Sequence, residues 1–232
     1  MRALLIDDER LARAELRRLL AVHPDVEIVG EAANAAEGLQ QINALKPDLI
    51  FLDVQMPGGS GFDMLAALEE APEVIFTTAF DQYALQAFEV NALDYLQKPI
   101  QAARMAAALQ RCSARHRPMD ASAAPKKLFI KDGERCWFVA LQEIRLFESE
   151  GNYTRVHFGQ HQPLMLRSLN QLEEKLDPRH FFRANRRHIV NLDFVDQMTP
   201  NDAGGLDLTL RDQLQVEVSR RRTPQLKLLA SL

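Results

Sequence analysis

The sequence predicts an α/β domain built on a doubly wound, five-stranded parallel sheet, followed by a mostly-β second domain. Three observations carry this. Short apolar runs alternate with segments of helical periodicity through the first half, the pattern of a parallel sheet covered on both faces. One of these runs, Leu49-Ile50-Phe51-Leu52, ends in Asp53 and a loop rich in Gly and Pro, as a buried parallel strand does. After Arg117-Pro118 and the small-residue stretch 121–125, the pattern changes to short strands in which apolar and polar residues alternate.

The first-half strands are expected over 2–7, 26–30, 48–53, 73–78 and 93–97. Helices are expected over 9–22, with Ala12, Leu16, Leu19 and Leu20 on one face, and over 34–45, where Asn34 and Glu37 form a capping pattern. Further helices are expected over 61–70, 81–90 and 101–116. Residues 118–125 hold almost no large apolar side chain and read as a linker. Beyond it, strands over 127–131 and 134–139 flank Asp132-Gly133, a two-residue hairpin signal. Strands over 144–148, 153–158 and 162–167 follow. A short helix at 168–176 has Ser168 and Gln171 as its capping box. Strands over 189–192, 194–198, 206–211 and 214–219 come next, and a helix at 224–232.

A chain of 232 residues suits two domains, here 1–117 and 126–232. The N-terminal apolar run is too short for a signal peptide, and no apolar run reaches the roughly 18 residues of a membrane span. Two cysteines without metal-type spacing suggest reduced thiols, so a cytoplasmic location is expected. The net charge of −4 conceals an asymmetry. Residues 1–117 carry 11 Lys and Arg against 17 Asp and Glu, whereas residues 118–232 carry 17 against 15. A nucleic-acid partner must therefore be recognised by local basic clusters.

Chemistry concentrates at the predicted strand ends. Asp7 and Asp8 end the first strand and Asp53 the third, all on the rim where open α/β sheets place ligands. Three carboxylates on one rim repel unless a hard cation joins them, and Mg²⁺ suits oxygen donors with phosphate and water. Thr78 ends the fourth strand and Lys98 follows the fifth, before Pro99, which makes that bond a candidate cis peptide. Acids, a hydroxyl and a lysine in this order suit phosphoryl transfer to Asp53.

These residues carry a resemblance. Asp7-Asp8-Glu9, Leu52-Asp53 with Met56-Pro57 and Gly61, Thr78-Ala79, and Tyr95 with Lys98-Pro99 resemble the receiver domain of a two-component response regulator. The resemblance implies that Asp53 accepts phosphate from a sensor histidine kinase. Mg²⁺ is bound by Asp8 directly, Asp7 through water, Asp53, and the backbone carbonyl of Gln55. Thr78 and Tyr95 form a switch pair, and Lys98 meets the phosphate.

Two basic clusters mark the second half, Arg183-Ala184-Asn185-Arg186-Arg187-His188 and Arg220-Arg221-Arg222. No Asp or Glu lies between Arg179 and Asp193 to neutralise the first, so its cations are expected to face DNA. Together with 146–153, 181–191 and 218–221, these clusters resemble a LytTR-type DNA-binding domain. That family places loops between strands in the major groove and binds paired sites as a dimer. The resemblance puts Asn152, Tyr153, Thr154, Arg155, Asn185, Arg186, Arg187, Arg220 and Arg221 nearest DNA. Arg186, mid-loop, is expected to read a base. Arg183, beside Phe182, is expected to bind phosphate or to be structural. The resulting expectation is a phosphorylation-controlled transcription regulator that dimerises on promoter repeats, not an enzyme. The alternatives are a regulator with protein-binding output alone and an aspartate-nucleophile phosphatase. The phosphatase pattern Asp-x-Asp is broken here by Gln55.

Overall fold

The computed structural model describes residues 1–68, 70–79, 94–115, 127–201 and 204–230. The expected helix at 81–90 and the linker at 118–125 lie outside the described residues. The chain forms two compact units, Met1–Val139 and Ala140–Leu232.

In the first unit, β1 (Arg2–Ile6), β2 (Glu27–Ala32), β3 (Leu49–Asp53), β6 (Glu73–Thr78) and β7 (Asp94–Gln97) form one parallel sheet in the order β2-β1-β3-β6-β7. The minor hairpin β4 (Gln55–Met56) and β5 (Gly59–Ser60) follows β3. Helices are α1 (Arg10–Leu20), α2 (Ala35–Leu45), α3 (Gly61–Ala67) and α4 (Ala102–Arg115). Side chains alternate across a strand, and here both faces are apolar. Ala3, Leu5, Leu49, Phe51 and Ile75 pack against Leu16, Leu19 and Leu20 of α1 and Met105, Leu109 and Cys112 of α4. Leu4, Ile6, Ile50, Leu52 and Phe76 pack against Ile42 of α2 and Phe62 and Leu65 of α3. Asn34 caps α2 as expected, accepting from the Glu37 amide at 2.9 Å, and Glu37 accepts from the Ala33 amide. The α3 helix is shorter than expected: a Ser60–Asp63 capping box opens it, and the chain turns extended at Leu68.

The Asp132-Gly133 hairpin forms as β8 (Lys127–Asp132) and β9 (Arg135–Ala140), with Gly133 at φ +61°. Through Val139 it belongs to the first unit. Phe129, Cys136 and Phe138 join the cluster over α3, and Lys127 and Lys131 pair with Glu73 and Asp63.

The second unit holds two antiparallel sheets. One has the order β12-β11-β10-β14-β13, from β10 (Ile144–Glu150), β11 (Tyr153–Phe158), β12 (Leu164–Met165), β13 (Phe181–Arg183) and β14 (His188–Asn191). The other runs β15 (Val195–Pro200), β16 (Leu206–Leu210), β17 (Gln215–Val218). Helices are α5 (Leu169–Glu173) and α6 (Thr223–Ala230). Leu146, Phe182, Val190, Leu208, Val216 and Leu226 share one core. The sequence pattern did not anticipate β13, because three residues are too few to display a period.

Candidate functional site

β1 and β3 are neighbours, so their carboxyl ends bring Asp7, Asp8 and Asp53 together. Each offers a carboxylate oxygen, and all three oxygens lie within 4.8 Å of one another. Asp7 and Asp53 are buried, and Asp8 is the more open. Lys98 follows β7, and its Nζ lies 2.7 Å from Asp7 Oδ2 and 3.0 Å from Asp53 Oδ2. The Lys98–Pro99 peptide is cis, as the sequence suggested. Burial pushes both buried carboxyls up, and Lys98 only partly offsets it. Burial likewise opposes the Lys98 charge, but Asp7 and Asp53 outweigh it and leave the ammonium raised. Asp7 Oδ2 accepts no hydrogen bond of good geometry despite the close ammonium. A crowd of hard oxygen donors at one rim, more carboxylates than the single Lys98 can neutralise, fits a divalent cation.

The loop after Asp53 is shaped for close approach. The Gln55 amide donates to Asp53 Oδ1 at 3.3 Å. Gly61 has no alternative, because a Cβ there would stand 2.4 Å from the Asp53 carbonyl oxygen. Thr78 is buried, and its carbonyl accepts from the Lys98 amide at 2.8 Å. Phe76 pairs in register with Tyr95 across β6 and β7, so Thr78 and Tyr95 lie on one face of the sheet.

In the second unit, three loops converge. The Ser149 amide donates to the Arg187 carbonyl at 2.7 Å, joining the end of β10 to the 184–188 loop. Asn185 Nδ2 donates to the Glu217 carbonyl at 2.6 Å, and the Ser219 amide to the Ala184 carbonyl at 3.0 Å. The segment that carries Asn185, Arg186 and Arg187 and the one that carries Arg220 and Arg221 are therefore tied together, and the 184–188 loop meets the end of β10 that leads to Asn152 and Tyr153.

Two expectations need correction. Thr154 does not face outward: it is fully buried, and its hydroxyl donates to the Arg167 carbonyl at 2.6 Å. Residues alternate across a strand, so Tyr153 and Arg155 turn outward while Thr154 turns in, a signal already present in the sequence. Nor are all the cations of the first cluster unopposed. Glu148 of β10 lies 3.1 Å from Arg187, and Glu173 of α5 lies 3.5 Å from Arg183. Arg155 pairs with Glu150. Among the described residues, Arg186, Arg220 and Arg221 have no acidic partner. Glu148 also meets His157 Nε2 at 3.3 Å and His188 Nε2 at 3.6 Å. Burial lowers both imidazoles, and Glu148 opposes the drop. Sequence reasoning had missed Glu148, 39 positions before Arg187, and Glu173, which lies on another element from Arg183.

The parallel sheet with its rim of acids and lysine, followed by an antiparallel module with basic loops, defines a phosphoacceptor domain joined to a nucleic-acid-binding one. Residues 3–110 match the response regulator receiver domain and residues 134–231 the LytTr DNA-binding domain. The chain belongs to the response regulators that combine these two, a family of transcription regulators rather than enzymes. It is 40% identical over 231 residues to an uncharacterized response regulatory protein of Vibrio cholerae, covering 97% of this chain and 96% of that one. It is 37% identical over 239 residues to the transcriptional regulatory protein BtsR of Escherichia coli K12, covering 98% of each. With the sensory transduction protein LytT of Bacillus subtilis the identity is 34% over 237 residues, covering 99% of this chain and 98% of that one. Among the described residues, no helix is long and apolar enough to cross a membrane.

Proposed function

We propose that Asp53 takes a phosphoryl group from a histidine kinase and that this modification controls promoter binding by the C-terminal loops. The observation that carries the reading is the buried Asp53 carboxylate, set between Asp7 and Lys98 at a strand end. One Asp53 oxygen attacks the phosphorus of a phosphohistidine. The N–P bond breaks, its electron pair leaves with the imidazole, and an acyl phosphate forms. Asp7, Asp8, Asp53 and the Gln55 carbonyl are the groups that would hold Mg²⁺. The ion's chemistry there is to neutralise charge on the phosphoryl oxygens. Lys98 supplies a fixed positive charge against Asp7 and Asp53.

With phosphate present, Lys98 and the Thr78 hydroxyl gain a further anionic partner, and Tyr95, already buried on the same face, is held there beside Thr78. This biases an active state that already exists in the ensemble. Two receivers then pair, and the paired C-terminal domains read repeated half-sites in double-stranded DNA. In this reading residues 1–117 are the receiver and 118–125 the linker; the DNA-binding domain, 126–232, carries its DNA face within Ala140–Leu232, while its first hairpin packs in the first unit through Val139. Asn152, Tyr153, Arg155, Arg186, Arg187, Arg220 and Arg221 form the DNA face, and Asn185, whose side chain is taken up by Arg187, His188 and Glu217, holds the loop that carries Arg186 and Arg187.

Acetyl phosphate with Mg²⁺ should add one base-labile phosphate to the protein and none to Asp53→Asn. Equal labelling of the variant would remove Asp53 as the acceptor. The labelled protein should sediment as a dimer and shift a duplex that it has selected from a random-sequence pool. A monomer in both states would remove the dimer step.

A further inference from the structure

Arg183 begins as a puzzle. It belongs to the most basic segment of the chain, yet its side chain is only 10% exposed. Its guanidinium is spent inward. Nε donates to the Asn185 carbonyl at 2.6 Å, and one terminal nitrogen donates to the Arg186 carbonyl at 2.9 Å. The other terminal nitrogen is buried, 3.5 Å from Glu173 Oε2, outside hydrogen-bond geometry. A planar fork donating to two successive carbonyls fixes the backbone on which Asn185 and Arg186 ride.

Glu173 does not stop at Arg183. Its second oxygen lies 3.0 Å from the Arg222 guanidinium. Arg222 closes the other basic loop: its amide donates to the Ser219 carbonyl at 2.8 Å, which leaves Arg220 and Arg221 at the tip of that turn. One carboxylate at the end of α5 therefore ties together the supports of both loops. Asn185 completes the brace, since its side chain spans from the Arg187 amide to the Glu217 carbonyl.

We infer that Arg183 and Glu173 are positioning residues for DNA recognition: they touch no DNA, and they set the spacing between Arg186 and the Arg220–Arg221 pair. This rests on the DNA face proposed above. A duplex presents base edges at fixed separations, so two loops carrying arginines must be held at one distance to read them together. Loops freed from the brace still find phosphates, because that attraction depends on charge and not on register.

The full-length protein is tested against a duplex that the wild type selects from a random pool, and against a scrambled duplex of equal length. Arg183→Lys keeps the charge but cannot donate along two directions of a fork. Glu173→Gln removes a negative charge and leaves the fold of α5 intact. Both should lose about tenfold in affinity for the selected duplex and keep their affinity for the scrambled one, with an unchanged salt slope. A phosphate-contacting Arg183 would instead leave Arg183→Lys near wild type, and Arg183→Ala would flatten the slope by roughly 0.9. A Glu173 that acts only as a repelling charge would give Glu173→Gln tighter binding to both duplexes. Either of those results overturns the inference. Arg186→Ala and Arg220→Ala keep the two readings separate. If they lose the selected duplex while Arg183→Lys and Glu173→Gln retain it, the positioning role fails and the DNA face stands. If they bind like wild type, the DNA face itself fails. Thermal midpoints of all variants, and retention of scrambled-duplex binding, distinguish lost positioning from lost folding.

Discussion

Replacing Asp53 with Asn should make the metal-free protein more stable, although it destroys the phosphoacceptor. Three carboxylate oxygens lie within 4.8 Å of one another. At an effective dielectric of about 20, each pair at that separation repels by about 3.5 kcal/mol. Asp53 enters two such pairs. Against this, its contact with Lys98 at 3.0 Å attracts by roughly 5.5 kcal/mol on the same scale. Asp8 is the more open partner, and solvent screens part of its share. The Coulomb terms therefore nearly cancel, and the desolvation of the buried Asp53 carboxylate decides the sign. The raised Asp53 carboxyl points the same way, since it marks surroundings that oppose the charge. Lys98 keeps Asp7 as a partner at 2.7 Å in the variant. A gain of about 1–2 kcal/mol follows, with each kcal/mol worth roughly 2–4 °C in melting temperature. Trp137 is the only tryptophan of the chain and lies in the first unit, so its fluorescence follows the relevant transition. The melt is run with a chelator and again with excess Mg²⁺. Binding to the folded state should raise the wild-type midpoint, and it should raise the variant's less, because one donor is gone. An Asp53→Asn protein that melts below wild type in chelator would refute the reasoning.

Other outcomes follow from single contacts. Gly61→Ala places a methyl against the Asp53 carbonyl, so the first unit should lose about 1–3 kcal/mol and label more slowly with acetyl phosphate. Asn191→Leu strands the Ile144 carbonyl, which now accepts from Asn191 Nδ2 at 2.8 Å in a buried site; urea unfolding should show a loss of about 1–3 kcal/mol. Burial pushes the Cys136 thiol up to about 12, so it should resist thiol reagents at pH 8 until the protein is unfolded in urea, whereupon both cysteines should react. His157 is held below the ordinary imidazole value by burial. The unfolded chain therefore binds a proton first as pH falls below about 6.5. Stability of the second unit should drop over that range, and His157→Asn should flatten the drop in pH-dependent melts.

The receiver was legible in the sequence because its chemistry is written by residue type at strand ends. An apolar run that stops at an aspartate fixes both a buried strand and the place where its carboxylate emerges. The alternation of Leu49 and Phe51 with Ile50 and Leu52 distributes the side chains to two cores, as the helices on both faces require. Asn34 with Glu37, and Ser168 with Gln171, announce helix starts because a cap needs only neighbours three residues apart. The basic loops were legible as clusters, but not in their roles. Arg183, Arg186 and Arg187 are nearly adjacent in sequence, yet one is turned inward, one is free of acidic partners among the described residues, and one pairs with Glu148. Glu148 stands 39 positions before Arg187, and Glu173 stands 49 before Arg222. Such pairings arise only when strands, helices and turns from distant parts of the chain are packed side by side. An ion pair needs a few ångströms in space and no particular separation in sequence, so only the tertiary structure decided which arginines build the surface and which ones hold it.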